Sequence, residues 1–252
     1  MINIRTKREI EVLKKAGELT GKTHNHLKKF IKVGVTTNEL DKIAYKFIKD
    51  NEGEPSFLNY GGFPKSICTS INEEVVHGIP SNRKLKDGDI LSIDIGVNYK
   101  GYHGDSAWTY IVGSKNSDSE YLLKHTEEAL FKGLSRIREG AKVGDISYEI
   151  EKYANSKNLG VVRELIGHGI GSKLHEEPDI PNYGEEGTGA TLKAGMILAV
   201  EPMLNLGDRN VFILDDEWTI VTRDNKLSAH FEHTVLVTKN GYEILTKRWW
   251  NG

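Results

Sequence analysis

Asp89–Val112 reads DILSIDIGVNYKGYHGDSAWTYIV. Two β-forming arms flank Asn98-Tyr99-Lys100-Gly101, which has the composition of a tight turn. The stretch is therefore expected to form one antiparallel hairpin. Pairing Asn98 with Gly101 sets Asp94 directly opposite Asp105, with Cβ atoms about 4.5–5.5 Å apart. Like charges so placed are destabilising unless a cation sits between them. A strongly β-forming segment that accepts such a conflict marks a functional site. The alternative is a bulge, which would turn one aspartate to the other face and leave it exposed.

Outward from the hairpin, further β signals lie at Ser66–Ile71, Met196–Leu204, Asn210–Leu214, Trp218–Arg223, Ala229–Thr238 and Tyr242–Leu245. Four segments read as helices. Thr6 and Glu9 form a capping-box pattern ahead of apolar Ile10, Leu13, Ala16 and Leu19. Thr36 and Glu39 repeat it ahead of Leu40, Ile43, Ala44, Phe47 and Ile48, which share one helix face. Ser117 and Glu120 open a third segment that runs to about Arg138, and Asp145 opens a fourth. The late strands follow one another with little helix between them. That segregation favours α+β with a mixed or antiparallel sheet over a doubly wound parallel one.

The chain has 252 residues, a formal net charge of −2 and 38% hydrophobic content, which suits a soluble single domain over residues 1–252. A sequence pI of about 6.5 excludes the basic footprint of a nucleic-acid binder. The single cysteine, Cys68, permits no intrachain disulfide and fits a reducing cytoplasm. The start MINIRTKREI lacks the apolar run of a signal peptide, and no stretch reaches the roughly 20 apolar residues of a membrane span. The expectation is a cytoplasmic protein with no membrane contact.

Three more polar residues stand in settings that make them costly or accessible. His168 lies among three glycines in Gly167-His168-Gly169-Ile170-Gly171, and glycine removes steric cover from an imidazole. Glu201 follows apolar Ile197-Leu198-Ala199-Val200, where an unpaired carboxylate is expensive. Glu232 precedes apolar Thr234–Val237, and the same argument holds. Buried acids are normally paired or bound to metal. Asp94, Asp105, His168, Glu201 and Glu232 together form a hard, oxygen-rich set able to hold two divalent cations. Two such ions about 3.5–4 Å apart can activate a water and polarise a carbonyl. The set suits Co, Mn, Fe or Zn. His77 and His175 could donate to a reacting carbonyl or carry a proton; on the residues alone, a structural role is the commoner one for each.

The motifs PKSICTSINEEVVHGIP, LSIDIGV, GYHGDSAWTY, GHGIG, HEEP, EPM and FEHT resemble the type I methionine aminopeptidases of the bacterial kind, in peptidase family M24. The resemblance runs from the first helix to about Leu245. The interval from His168 to Glu201 leaves no room for the helical insertion of type II members. The resemblance implies the pita-bread (creatinase/aminopeptidase) fold, with two pseudo-symmetric halves around a curved antiparallel sheet. It implies removal of initiator methionine from nascent chains whose second residue is small. Asp94 would then be bidentate on one of two ions, Asp105 and Glu232 would bridge both, and His168 and Glu201 would complete the site. His77 would contact substrate near the scissile amide. His175 would hydrogen-bond the carbonyl oxygen, and Glu201 would shuttle a proton. Tyr60, Phe63, Cys68, His77 and Trp218 would line the methionine pocket, as apolar and soft side chains suit a thioether. A transient ribosome contact and a monomeric state belong to the same expectation.

Phe63, Gly61, Leu174 and His230 depart from residues common in that family. His230 shares a strand face with Glu232, where it could be structural or could orient a ligand. Two other readings remain for comparison. Proline-directed aminopeptidases share the fold but carry an added N-terminal domain, for which Asp94 falls too early. A non-catalytic peptide-binding protein on this scaffold would tend to have lost ligands, and all five positions are kept.

Overall fold

The computed structural model describes residues 2–247. The first half contains α1 (Lys7–Lys28), α2 (Thr37–Asp50), β1 (Glu54–Pro55), β2 (Cys68–Ile71), β3 (Glu74–Val76), β4 (Ile90–Tyr99) and β5 (Tyr102–Ile111). The second contains α3 (Ser117–Leu134), α4 (Val143–Ser156), β6 (Gly160–Val161), β7 (Gly167–Gly169), β8 (Glu176–Ile180) and β9 (Ile197–Val200). It continues through β10 (Met203–Asn205), β11 (Val211–Ile213), β12 (Ile220–Thr222), β13 (Ser228–His230), β14 (His233–Val237) and β15 (Tyr242–Ile244). Among these the strand pairs are antiparallel, in four sheets. Each half thus opens with two helices and follows with strands, as the segregated pattern predicts. Among the described residues no helix is long and apolar enough to cross a membrane.

Both expected capping boxes form. Glu9 accepts from the Thr6 N–H at 2.8 Å, and Glu39 accepts from the Thr36 N–H at 2.7 Å. The other two helices start earlier than expected. Asn116, not Ser117, caps α3, accepting from the Ser119 N–H at 2.9 Å. Asp145 stands at the third position of α4 and reaches back to the Lys142 N–H at 2.8 Å. Acidic residues serve either place, because both satisfy amides left open at a helix start.

The β4–β5 hairpin is real, but its register differs by one pair. Tyr99 pairs with Tyr102, so the turn is Lys100-Gly101, with φ of 50° and 86°. Two positive φ values in a two-residue loop match the strand twist, and glycine takes the second without penalty. Asp94 then lies opposite Ala107, and Asp105 opposite Gly96. The two aspartates still share one face, as diagonal rather than direct neighbours. That spacing relieves part of the expected repulsion.

Two strands expected as continuous are each divided at a glutamate. Met196–Leu204 becomes β9 and β10, parted at Glu201-Pro202. Ala229–Thr238 becomes β13 and β14, parted at Phe231-Glu232. The register stays in phase across the break: Val200 pairs with His233 on one side and Met203 with His230 on the other. Glu201 therefore stands opposite Glu232 in an opened stretch of one ladder. Pro202 supplies no N–H there, and the Glu232 N–H donates instead to Ala107 O of β5, at 2.9 Å. Further bonds close the seam between the halves. Ser106 Oγ donates to Glu232 O at 2.9 Å, and Thr109 Oγ1 to His230 O at 3.0 Å.

Helix α1 lies across β4 and β5. At the crossing a Cβ on Gly104 would sit 2.7 Å from Gly17 N, so backbone meets backbone. One apolar core lies under α1 and α2 and includes Leu40, Ile48, Leu91 and Ile93. Another lies under α3 and α4 and includes Leu130, Ile146, Leu198 and Val235. The two cores hold the hairpin and the opened ladder against each other.

Candidate metal centre

Both ladders aim their acids into one cavity of about 120 Å³. Asp94, Asp105, His168, Glu201 and Glu232 line its floor. Ligand atoms of Asp105, His168 and Glu232 lie within 4.8 Å of one another, and all three residues are buried. Glu201 reaches this group, with Oε1 at 3.5 Å from His168 Nε2. Asp94 borders it from β4.

The charges in this cavity are uncompensated by the described protein groups. Buried Asp94 Oδ1 and Glu232 Oε1 have no hydrogen-bond partner among the described residues. Burial pushes the Asp105 carboxyl up to about 7. Burial, then the charges of Asp105 and Glu201, raise Asp94 well above the ordinary carboxylate range. Burial and Asp105 do the same to Glu201 and Glu232. Among the described residues no lysine or arginine lines the cavity. Four converging acids without a cationic partner are the arrangement that a bound cation stabilises. The donor set fits a metal site.

The imidazole is pre-set for the same role. His168 Nδ1 lies 2.8 Å from Gly169 O, so it carries the proton and leaves Nε2 free to face the acids. Burial and the neighbouring His175 lower the His168 pKa to about 4, which keeps the ring neutral. His175 stacks edge-on, with ring centroids 4.3 Å apart. Its Nδ1 lies 2.7 Å from the Tyr60 hydroxyl. His77 has a φ of 58°, an uncommon value outside glycine, and burial lowers its pKa to about 4.

The remaining walls are largely apolar and aromatic, with two histidines among them. Tyr60, Phe63, Cys68, His77, His175 and Trp218 all line the cavity, so every site residue expected from sequence comes together. Phe63 and Trp218 meet edge-to-face, with ring centroids 5.1 Å apart. Cys68 is a buried free thiol that pairs across the sheet with Asp94. Leu174, one of the departures noted from sequence, and Phe57, for which no role is expected, complete the lining. Phe57 lies in an irregular segment with no periodic signal, so sequence offered nothing to find it. His230 stands against Glu201, with Nε2 at 3.4 Å from Oε2, and is buried. Its shared face with Glu232 was the signal for that contact.

Residues 11–239 match the model of metallopeptidase family M24. The chain is 53% identical over 247 residues to methionine aminopeptidase 1 of Bacillus subtilis, covering 98% of this chain and 100% of the relative. The crystal structure of methionine aminopeptidase from Rickettsia prowazekii superposes with a TM-score of 0.97 at 46% identity, covering 98% of this chain and 100% of that one. An Xaa-Pro dipeptidase from Bacillus anthracis shares the fold, with a TM-score of 0.78 at 24% identity, but this chain spans only 62% of it. The architecture common to these structures is the pita-bread fold. Likeness at this identity over nearly the whole length decides the matter: the chain belongs to metallopeptidase family M24, with the bacterial-type methionine aminopeptidases.

Proposed function

We propose that Asp94, Asp105, His168, Glu201 and Glu232 hold two divalent cations, and that the chain hydrolyses the bond after an N-terminal methionine. The observation that carries the reading is the convergence of two antiparallel ladders on one cavity, each contributing a pair of acids beside a largely apolar pocket. Divalent cations supply Lewis acidity and lower the pKa of a water to near neutrality. The cation is drawn from Co, Mn, Fe and Zn, which such a set accepts.

The protein's own groups do the rest. Phe63, Cys68 and Trp218 bind the thioether side chain by apolar contact. His77 holds substrate near the scissile amide. His175 donates to the carbonyl oxygen as negative charge develops there, where a neutral, pre-oriented donor is worth most. Glu201, raised by burial, accepts a proton from the attacking water and passes it to the leaving amine. The physiological substrates are N-terminal segments of nascent chains in the cytoplasm, with transient contact to the ribosome. The protein acts as a monomer and a single catalytic domain.

The test pairs metal stoichiometry with peptide kinetics. Two equivalents of cation and turnover of Met-Ala-Ser are expected. Met-Ile-Ser should be slower by roughly 10–200-fold, as bulk in a cramped subsite costs about 1–3 kcal/mol. Leu-Ala-Ser should be slower as well, because it lacks the thioether. Comparable rates for Met-Ile-Ser and Met-Ala-Ser would replace the initiator-methionine reading with a general aminopeptidase.

A further inference from the structure

His175 sits on the loop between β7 and β8, where Ser172 and Lys173 face solvent. A donor on an exposed loop needs anchors if it is to hold a fixed position. At the near end, the His103 N–H donates to Gly171 O at 2.8 Å. At the far end, the segment that precedes α1 crosses the loop. The Arg5 N–H donates to Gly195 O at 2.9 Å. Its guanidinium pairs with the Glu176 carboxylate, and these side chains are only 7% and 6% exposed. Glu176 also accepts from the Lys173 N–H at 3.0 Å, Ser172 Oγ at 3.4 Å and Asn3 Nδ2 at 2.7 Å. One buried carboxylate therefore folds the loop on itself and ties it to the N-terminal segment. Gly171 makes the crossing possible, since a Cβ there would sit 1.9 Å from Arg5 Nη2.

We propose that Arg5 is a positioning residue for His175, acting through Glu176 to fix the loop from Gly171 to Glu176 at the cavity mouth. The N-terminal segment is then part of the catalytic apparatus without touching substrate. The His175 ring is itself held by the Tyr60 hydroxyl, 2.7 Å from Nδ1, so one contact fixes the ring and the other its backbone. A buried charge pair suits this role, because removal of one partner leaves the other uncompensated and free to pull the loop toward water. A displacement of about 1 Å in a catalytic group can cost roughly 100-fold in rate. The proposal rests on the role given to His175 above.

The experiment compares Arg5→Met, Arg5→Lys, Gly171→Ala and His175→Ala with the wild type, at matched metal content and below the unfolding transition. Arg5→Met should lower kcat about 10- to 100-fold, with KM changed by less than about twofold. Arg5→Lys keeps one cation–carboxylate bond and should restore most of kcat. Gly171→Ala displaces the guanidinium without altering a charge and should lower kcat in the same way. If Arg5→Met does not fold, Gly171→Ala decides. A folded Arg5→Met or Gly171→Ala protein with wild-type kcat, beside a His175→Ala protein that has lost it, overturns the proposal alone. Wild-type kcat in His175→Ala overturns the role of His175 and the proposal with it.

Discussion

Asp105 and Glu232 are buried, face the same cavity and lie with His168 in its tightest group of ligand atoms. On the proposed assignment, removing either carboxylate deletes a ligand from the centre of the site. Asp105→Ala and Glu232→Ala should therefore each lose bound metal and nearly all Met-Ala-Ser turnover. Metal activation is worth several kcal/mol, hence roughly 1,000-fold or more in rate. Full metal occupancy with near-wild-type turnover in either variant would contradict the assignment. His175 tests a different term. It lies beside the His168 imidazole, with its Nδ1 engaged by Tyr60. His175→Ala should lower kcat by about 10²–10³ while KM changes little, because an oxyanion donor acts mainly in the transition state. A change confined to KM would mean that His175 binds ground state and transition state alike.

The helix–hairpin crossing makes its own prediction. Gly104 on β5 meets the backbone of Gly17 on α1, and a Cβ would lie 2.7 Å from Gly17 N. Neither backbone can yield as a flexible side chain would. Gly104→Ala should cost about 1–3 kcal/mol, and thermal unfolding should show a Tm lower by roughly 2–4 °C per kcal/mol. An unchanged Tm would mean that α1 slides freely over the hairpin. The same elements show what sequence could and could not reveal. Helices α1 and α2 were legible because capping boxes and apolar faces are local signals. The hairpin was legible, but its register was not, because the choice between Asn98–Gly101 and Tyr99–Tyr102 rests on the φ values that Lys100 and Gly101 adopt. The shared face of the two aspartates survived that shift, since it moved the pairing without turning either one to the other side. Short strands such as β6 and β7 escaped notice because two or three residues carry no periodic signal, and each is held by a partner far along the chain, β10 for one and β9 for the other. The breaks at Glu201 and Glu232 escaped for a related reason. The hydrophobic pattern there reads as unbroken strand, and what opens the ladder is a bond from Glu232 to Ala107 in the other half.

At the scale of the whole molecule, the acids proposed to hold the cations oppose folding when no cation is present. Asp105 is raised to about 7 by burial, and Asp94, Glu201 and Glu232 are raised by burial and by one another. For an acid whose folded pKa exceeds its unfolded one, the neutral form favours the fold. Its stability contribution is complete below the unfolded pKa and is lost as pH rises through the folded pKa. Each such carboxyl changes stability by up to about 1.4 kcal/mol per pH unit while it is protonated in one state only. Buried His77 and His168, lowered to about 4, and His230, lowered to about 3, act with the opposite sign. Their contribution grows only up to an imidazole's ordinary pKa of about 6.5 and is level above it. A window from about pH 6.5 to 8 therefore isolates the carboxyls and stops short of the ordinary thiol range, where raised Cys68 would add its own loss. In that window the metal-free protein should lose thermal stability as pH rises. Cation binding requires the ionised carboxylates, so the stabilisation conferred by Mn or Co should grow over the same range. Thermal unfolding with chelator and with added cation, at half-unit pH steps, should give diverging curves. Parallel curves would mean that the four acids are already neutralised by the protein itself, and the case for a cation between the two ladders would fall.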